Sequence, residues 1–189
     1  MDSQQPDVRP AQEHASPKPS RGAVIDVVAA ALADIGVEHS QSSPGTFAVS
    51  LPGTNKLSTE CALVVGEHTL EIRAFVARNP EENHQEVYRW LLERNLKLAG
   101  IAFSVDRTGD IHLIGRLSLA AVTADELDRL LGHLAETADS TFNTILAKGF
   151  ESSIRREWKF RLRNGDSTRN LAAFQQFRPD AEDDPEGKM

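Results

Sequence analysis

A two-layer α+β sandwich, with an antiparallel sheet of about five strands covered by helices in the order α-β-β-β-α-β-β-α, is the fold the sequence predicts. Three observations carry this expectation. Stretches with apolar residues at helical spacing are interspersed with short stretches of period two. The strand-like stretches are joined by short turns, with no crossover that requires a parallel pair. Finally, 40% apolar and 26% charged residues over a chain of 189 suit one globular core.

The first helix is expected over Ala23–Ile35, where Val24, Val28, Ala31, Leu32 and Ile35 share a face and Gly36 stands as a C-terminal stop. Phe47, Val49 and Leu51 alternate with smaller residues between Pro44-Gly45 and Pro52-Gly53, which predicts the first strand. A second strand is expected over 58–65. A turn at Gly66-Glu67-His68 leads to a third, in which Leu70, Ile72, Ala74 and Val76 face one way. Asn79-Pro80 breaks the meander, and a helix follows with Val87, Tyr88, Leu91, Leu92, Asn95 and Leu96 near one face. Ile101, Phe103 and Val105, a turn at Arg107-Thr108-Gly109-Asp110, and then Ile111, Leu113 and Leu117 make a hairpin. Thr123 and Glu126 are spaced as a capping box at the head of a long helix carrying Leu127, Leu130, Leu131, Leu134, Ala138, Phe142 and Ile145. That helix runs on, or bends near Gly149, into a helical 151–163.

Three regions follow from composition. Residues 1–20 hold four prolines among polar residues and are expected to be a disordered tail. Residues 21–163 form the folded domain, and residues 164–189 form an acidic, mostly disordered tail in which Leu171, Phe174 and Phe177 make a short sticky helix. Of the net charge of −7, the middle carries 16 cations against 19 carboxylates, so acidity is partly a property of the tails. An acidic body disfavours nucleic acid and anionic lipid as main partners. A single cysteine, Cys61, excludes an intramolecular disulfide scaffold, and neither a secretory signal nor a run of about 18 apolar residues is visible, so the expected location is the cytoplasm.

Chemistry-bearing motifs are scarce. The histidines at 14, 39, 68, 84, 112 and 133 have no spacing that places two imidazoles on one helix turn, and no metal site or cofactor is expected. Cys61 sits in an apolar strand and reads as a buried, inert thiol. Asp106 and Asp110 flank a turn whose backbone they can bond, which explains both without catalysis. No nucleophile elbow or phosphate loop occurs, so no catalytic residue is assigned.

The stretch from Val87 to Leu117 resembles the YbjN family of bacterial proteins, actinobacterial forms in particular. The traits that carry the likeness are Leu91-Leu92 followed by Asn95, the Phe103-x-Val-Asp106 strand end, the Gly109-Asp110-Ile111 turn, and Gly149-Phe150-Glu151 with Trp158, in that order over roughly 23–163. The resemblance implies a fold similar to the type III secretion chaperones, small α+β domains that dimerise and hold extended segments of other proteins. It brings no catalytic residues.

One local anomaly remains. Arg155, Arg156, Lys159, Arg161 and Arg163 are interleaved with Trp158 and Phe160 on an otherwise acidic chain, a pattern suited to partner binding through an acidic peptide, to docking of the chain's own acidic tail, or to nucleic acid. The competing reading is a solvated helix end in which Ile154, Trp158 and Leu162 pack on the body. The expected function is a non-catalytic protein-binding module, chaperone-like or a regulatory adaptor, that holds an extended protein segment and forms a homodimer through the sheet or the helix beginning at Thr123. The alternative is a small-molecule sensor or enzyme whose site is scattered in sequence.

Overall fold

The computed structural model of the protein describes residues 18–180, so the expectations for 1–17 and 181–189 lie outside the described residues. Helix α1, Arg21–Ile35, starts where the Ser20 hydroxyl accepts from the Ala23 amide and ends at Gly36, whose left-handed φ of 75° returns its N–H to the Leu32 carbonyl. Six strands form one antiparallel sheet: β1 Glu38–Ser43, β2 Thr46–Pro52, β3 Ser58–Val65, β4 Thr69–Ala77, β5 Ile101–Val105 and β6 Ile111–Ser118, in the order β1-β2-β3-β4-β6-β5. Helix α2, His84–Asn95, connects β4 to β5. A short 3-10 turn, Leu119–Ala121, precedes α3, Ala124–Gly149, which breaks at Phe150 into α4, Glu151–Asn164, and a 3-10 segment, Arg169–Phe177, follows.

The α+β class and the two layers agree with the sequence reading, while the strand number is six rather than five. The added strand is β1, which Pro44-Gly45 joins to β2 as a hairpin turn instead of opening the sheet. Its residues, Glu-His-Ser-Gln-Ser-Ser, are exposed on both faces, so no apolar alternation announces it; pairing with β2 supplies the strand. Arg21 pins the hairpin tip, donating from Nε to the Val65 carbonyl (2.9 Å) and from Nη2 to the Pro44 carbonyl (3.0 Å).

One face of the sheet, with Phe47, Val49, Leu63, Ile72, Leu113 and Ile111, is buried under Val28 and Leu32 of α1 and Leu127, Leu130, Leu134 and Ile145 of α3. Each such side chain contributes about 1.5–3 kcal/mol of hydrophobic stabilisation. The long leucine stripe of α3 is therefore spent inside its own chain. The Thr123 hydroxyl accepts from the Glu126 amide (3.1 Å), but the Glu126 carboxylate turns to Arg129 (2.7 Å), so only half of the expected capping box forms. On α2 the buried residues are Val87 and Leu91; Leu92 and Leu96, expected on the same face, are 66% and 88% exposed. Leu92 sits about 100° around the helix from Leu91, and Leu96 lies beyond the last turn.

The break between α3 and α4 is clamped by the loop before α2. Glu81 and Glu82 donate their amides to the Gly149 carbonyl, and the Glu82 carboxylate in return accepts from the Ser152 amide and hydroxyl, capping α4 from a distant segment. A side chain at 149 would stand 2.9 Å from Pro80 Cβ, so glycine there permits the close approach. Beyond this joint lies a second, smaller apolar cluster. Ile154 and Trp158 of α4 pack on Leu171 and Phe174, and the Trp158 indole donates to the Phe174 carbonyl (3.0 Å). Residues 169–177, assigned by sequence to the tail, are thus held against α4.

Candidate protein-interaction surface

The sheet has two edges, and they differ. At β5, the Asn95 side chain at the end of α2 accepts from the Phe103 amide (2.7 Å) and donates to the Phe103 carbonyl (3.2 Å). A side-chain amide thus replaces a neighbouring strand at the middle of that edge, with α2 lying alongside. Asn95→Ala leaves both backbone groups without their partner and is expected to cost about 1–2 kcal/mol, read as a lower urea midpoint at unchanged m-value.

At β1 no such cover exists among the described residues. The direction of its free groups follows from the ladder. The Val65 amide donates to the Gly45 carbonyl (2.8 Å), so odd-numbered residues of β2 bond toward β3 and even-numbered ones toward β1. Glu38 and Ser40, opposite Ser50 and Ala48, are consumed by β2; His39 and Gln41, opposite Val49 and Phe47, present their N–H and C=O groups outward. All six residues of the strand are exposed. A second extended chain can add there.

The sheet face turned away from the helices is open too. Ser40, Ala48, Ala62, Arg73, Ile114 and Ala102 form one continuous cross-strand row, mostly small side chains, next to a network in which Glu71 binds Arg73 (3.2 Å) and Arg116 (2.9 Å). With β1 this gives a flat surface contiguous with a free edge.

The β2–β3 loop at the end of the sheet is fixed by one carboxylate. Asp139 Oδ1 on α3 accepts from the amides of Thr54 (2.8 Å), Asn55 (2.8 Å) and Lys56 (2.9 Å), and Oδ2 from the Asn55 side chain. Partial burial pushes its pKa up, but the donors from Lys56, Asn55 and Thr54 outweigh this and hold it below the ordinary carboxylate range. At the other hairpin, Asp106 accepts from the Thr108 hydroxyl (2.7 Å) and amide, the Asp110 amide (3.0 Å) and His112 Nε2 (3.0 Å). The Thr108 hydroxyl, opposed by desolvation and aided by His112, holds that carboxyl well below its usual range. Asp110 accepts from the Asn79 amide (2.8 Å). Asp106 is thus committed to its own turn, as expected, whereas Asp110 ties the hairpin to the segment that follows β4. His112 Nδ1 is buried without a hydrogen-bond partner among the described residues, its ring edge-on to Phe75.

Cys61 is buried, and burial pushes its thiol up to about 12, so it is not a thiolate near neutrality. No group of three metal-ligating side chains occurs among the described residues, and no helix there is long and apolar enough to cross a membrane. A cleft of about 170 Å³ between α2, β5 and α3 is lined by Arg94, Lys97, Phe103, His133, Glu136 and Thr137.

The basic segment divides on α4. Trp158 is 1% exposed, with the Arg178 guanidinium over its ring (5.7 Å), and so has no free face for a partner. Arg155 pairs with Glu151 (2.8 Å) and lies over the Phe177 ring; Arg161 pairs with Glu157 and donates to the Ser167 carbonyl. Arg156 stands 3.7 Å from Glu81. Lys159 and Arg163 meet no carboxylate among the described residues, and Phe160 beside them is 58% exposed. The outward groups of β1 and the Asn95 seal were not foreseen, since neither leaves a hydropathy signal.

Comparison with known proteins matches residues 25–147 to the profile of YbjN, described as "Putative bacterial sensory transduction regulator". The Mycobacterium bovis protein Mb0497 is 50% identical over 137 residues, 72% of this chain and 75% of its own length. ML2442 of Mycobacterium leprae is 50% identical over 126 residues, 67% of this chain and 68% of its own. Among solved structures, YbjN from E. coli aligns with a TM-score of 0.48 at 14% identity, covering 65% of this chain and 89% of that one. The ExsC-ExsE complex aligns at 0.49 and 20% identity, covering 65% and 92%.

Proposed function

The chain belongs to the YbjN family, and from that premise we propose that it is a non-catalytic protein-binding module, a chaperone-like or regulatory adaptor that takes an extended segment of another protein along β1. The observation that carries this reading is the asymmetry of the sheet: one edge is closed by Asn95, and the other presents the outward backbone of His39 and Gln41. Strand addition at such an edge draws affinity from main-chain hydrogen bonds, and the open face beside it supplies side-chain contacts that select sequence. A homodimer that continues the sheet would use the same edge. In that arrangement two copies compete with the client segment.

Selection of displayed random dodecapeptides on the immobilised full chain tests the proposal. Peptides with dissociation constants in the micromolar range are expected, and His39→Pro with Gln41→Pro should weaken them at least about tenfold, because proline removes outward donors while leaving the β1–β2 ladder intact. Peptides that bind the double variant as well as the parent chain would sink the edge as the site. Light scattering after size exclusion of the same two proteins reads the dimer: a dimer in the parent chain that becomes a monomer in the variant places two copies on β1. A second reading, a small-molecule sensor, is supported by the polar cleft beside Arg94 and His133. Binding of peptide unaffected by Arg94→Ala separates the two.

A further inference from the structure

The cleft between α2, β5 and α3 gathers unpaired charge of both signs beside a buried hydroxyl that has no partner. Helix α3 turns a polar stripe toward it, His133, Glu136, Thr137 and Thr141, at the three- and four-residue spacing that shares one helix face. The Thr141 hydroxyl donates to the Thr137 carbonyl (2.6 Å) and is spent within the helix. Thr137 also lines the cleft and is only 7% exposed, yet its own hydroxyl makes no hydrogen bond among the described residues. A buried hydroxyl is ordinarily paired, so the cleft is where its partner would stand. His133 Nδ1 lies 3.2 Å from the Ala99 carbonyl, which can only accept, so that nitrogen carries the proton and Nε2 is left as an acceptor in the neutral ring. At the exposed rim, Arg94, which lies on the Trp90 ring (5.2 Å), Lys97 and Glu136 form no ion pair among the described residues. Leu98 and Phe103 supply an apolar wall, and the space of about 170 Å³ gives room for roughly six non-hydrogen atoms at the ~30 Å³ that a water takes in the liquid.

We propose that this cleft binds a free α-amino acid with a small side chain, its carboxylate on Arg94 and Lys97 and its ammonium among Glu136, the Thr137 hydroxyl and His133 Nε2. A guanidinium presents paired donors that match a carboxylate, and an ammonium has three protons to donate, which one carboxylate and two neutral acceptors can take. A purely anionic ligand would face Glu136 and a purely cationic one would face Arg94 and Lys97; a zwitterion meets both signs. The inference rests on the small-molecule reading of this cleft and does not involve the β1 edge. Because the rim groups are hydrated and the ligand is small, the affinity is modest, with a dissociation constant of about 1 mM or below.

Titration of the isotope-labelled full chain with L-alanine tests the proposal. Amide signals of residues 94–103 and 133–141 should shift and saturate together. Propionate, which lacks the ammonium, and ethylamine, which lacks the carboxylate, should bind at least about tenfold more weakly. Arg94→Gln and Glu136→Gln, both at exposed positions, should weaken alanine by a similar factor, and Thr137→Val, which keeps the shape and drops the hydroxyl, by at least about fivefold. Propionate that binds as well as alanine would make this an anion site and overturn the proposal, as would alanine binding unchanged in Glu136→Gln or shifts confined to another surface. Inorganic phosphate that shifts these amides where alanine does not would overturn the amino acid and leave the small-molecule reading standing. Silence from all four compounds would remove both.

Discussion

Trp158→Ala is expected to strip Arg169–Phe177 from α4 while the sheet stays folded. The indole is 1% exposed, packs with Ile154, Leu171 and Phe174, and donates the hydrogen bond that fixes the Phe174 carbonyl. Removing a buried tryptophan costs about 3–5 kcal/mol where the cavity cannot collapse. These residues form a cluster apart from the main core, so the loss falls on a local opening rather than on global unfolding. Amide exchange should accelerate through Arg169–Phe177 and the last turns of α4, and the urea midpoint of the sheet should hold. A midpoint that falls by the full amount would mean that the two clusters unfold as one unit.

Asp139→Ala should cost about 2 kcal/mol, the lower part of the range for hydrogen bonds to a charged acceptor because the site faces solvent. Three amides of the 54–56 loop lose their acceptor at once. Asp139→Asn retains an acceptor oxygen and should cost less. Acid dependence provides a separate readout. Asp139 and Asp106 both have carboxyls depressed below the unfolded value of about 3.9, so their stabilisation is fully present above that pH and is lost as pH falls through the folded values. The Asn variant should therefore show a shallower decline of the urea midpoint below about pH 4 than the parent chain. Equal slopes would remove Asp139 from the acid transition.

What the sequence disclosed depended on whether burial was local or borrowed. The stripe of α3 and the alternation of β2, β4 and β6 state in their own residues which face is apolar, and the structure follows them. Strand β1 has no such face; its extended form depends on hydrogen bonds from Ser50 and Ala48 in the next strand. The roles of Asn95 and Asp139 are equally silent, because the backbone they bond is 8 and more than 80 residues away and no spacing rule joins them. Trp158 was open to two readings, an aromatic for partner binding among cations and a helix face packed on the body with Ile154 and Leu162. Its neighbours are cations, yet its partner is the apolar segment 11 to 19 residues on, whose Leu171, Phe174 and Phe177 had already suggested a short helix.

The unequal edges also limit how large an assembly this chain can build. A sheet with two bare edges can recruit copies at both ends and elongate without limit, the route to fibres. Here Asn95 takes the place of a neighbouring strand at Phe103, leaving β1 as the uncovered edge among the described residues. Two copies meeting through β1 would satisfy each other and stop, and a client strand on β1 would leave no further place for another. Growth by strand addition through β1 would therefore end at the first step, because Asn95 stands in place of the next strand at β5.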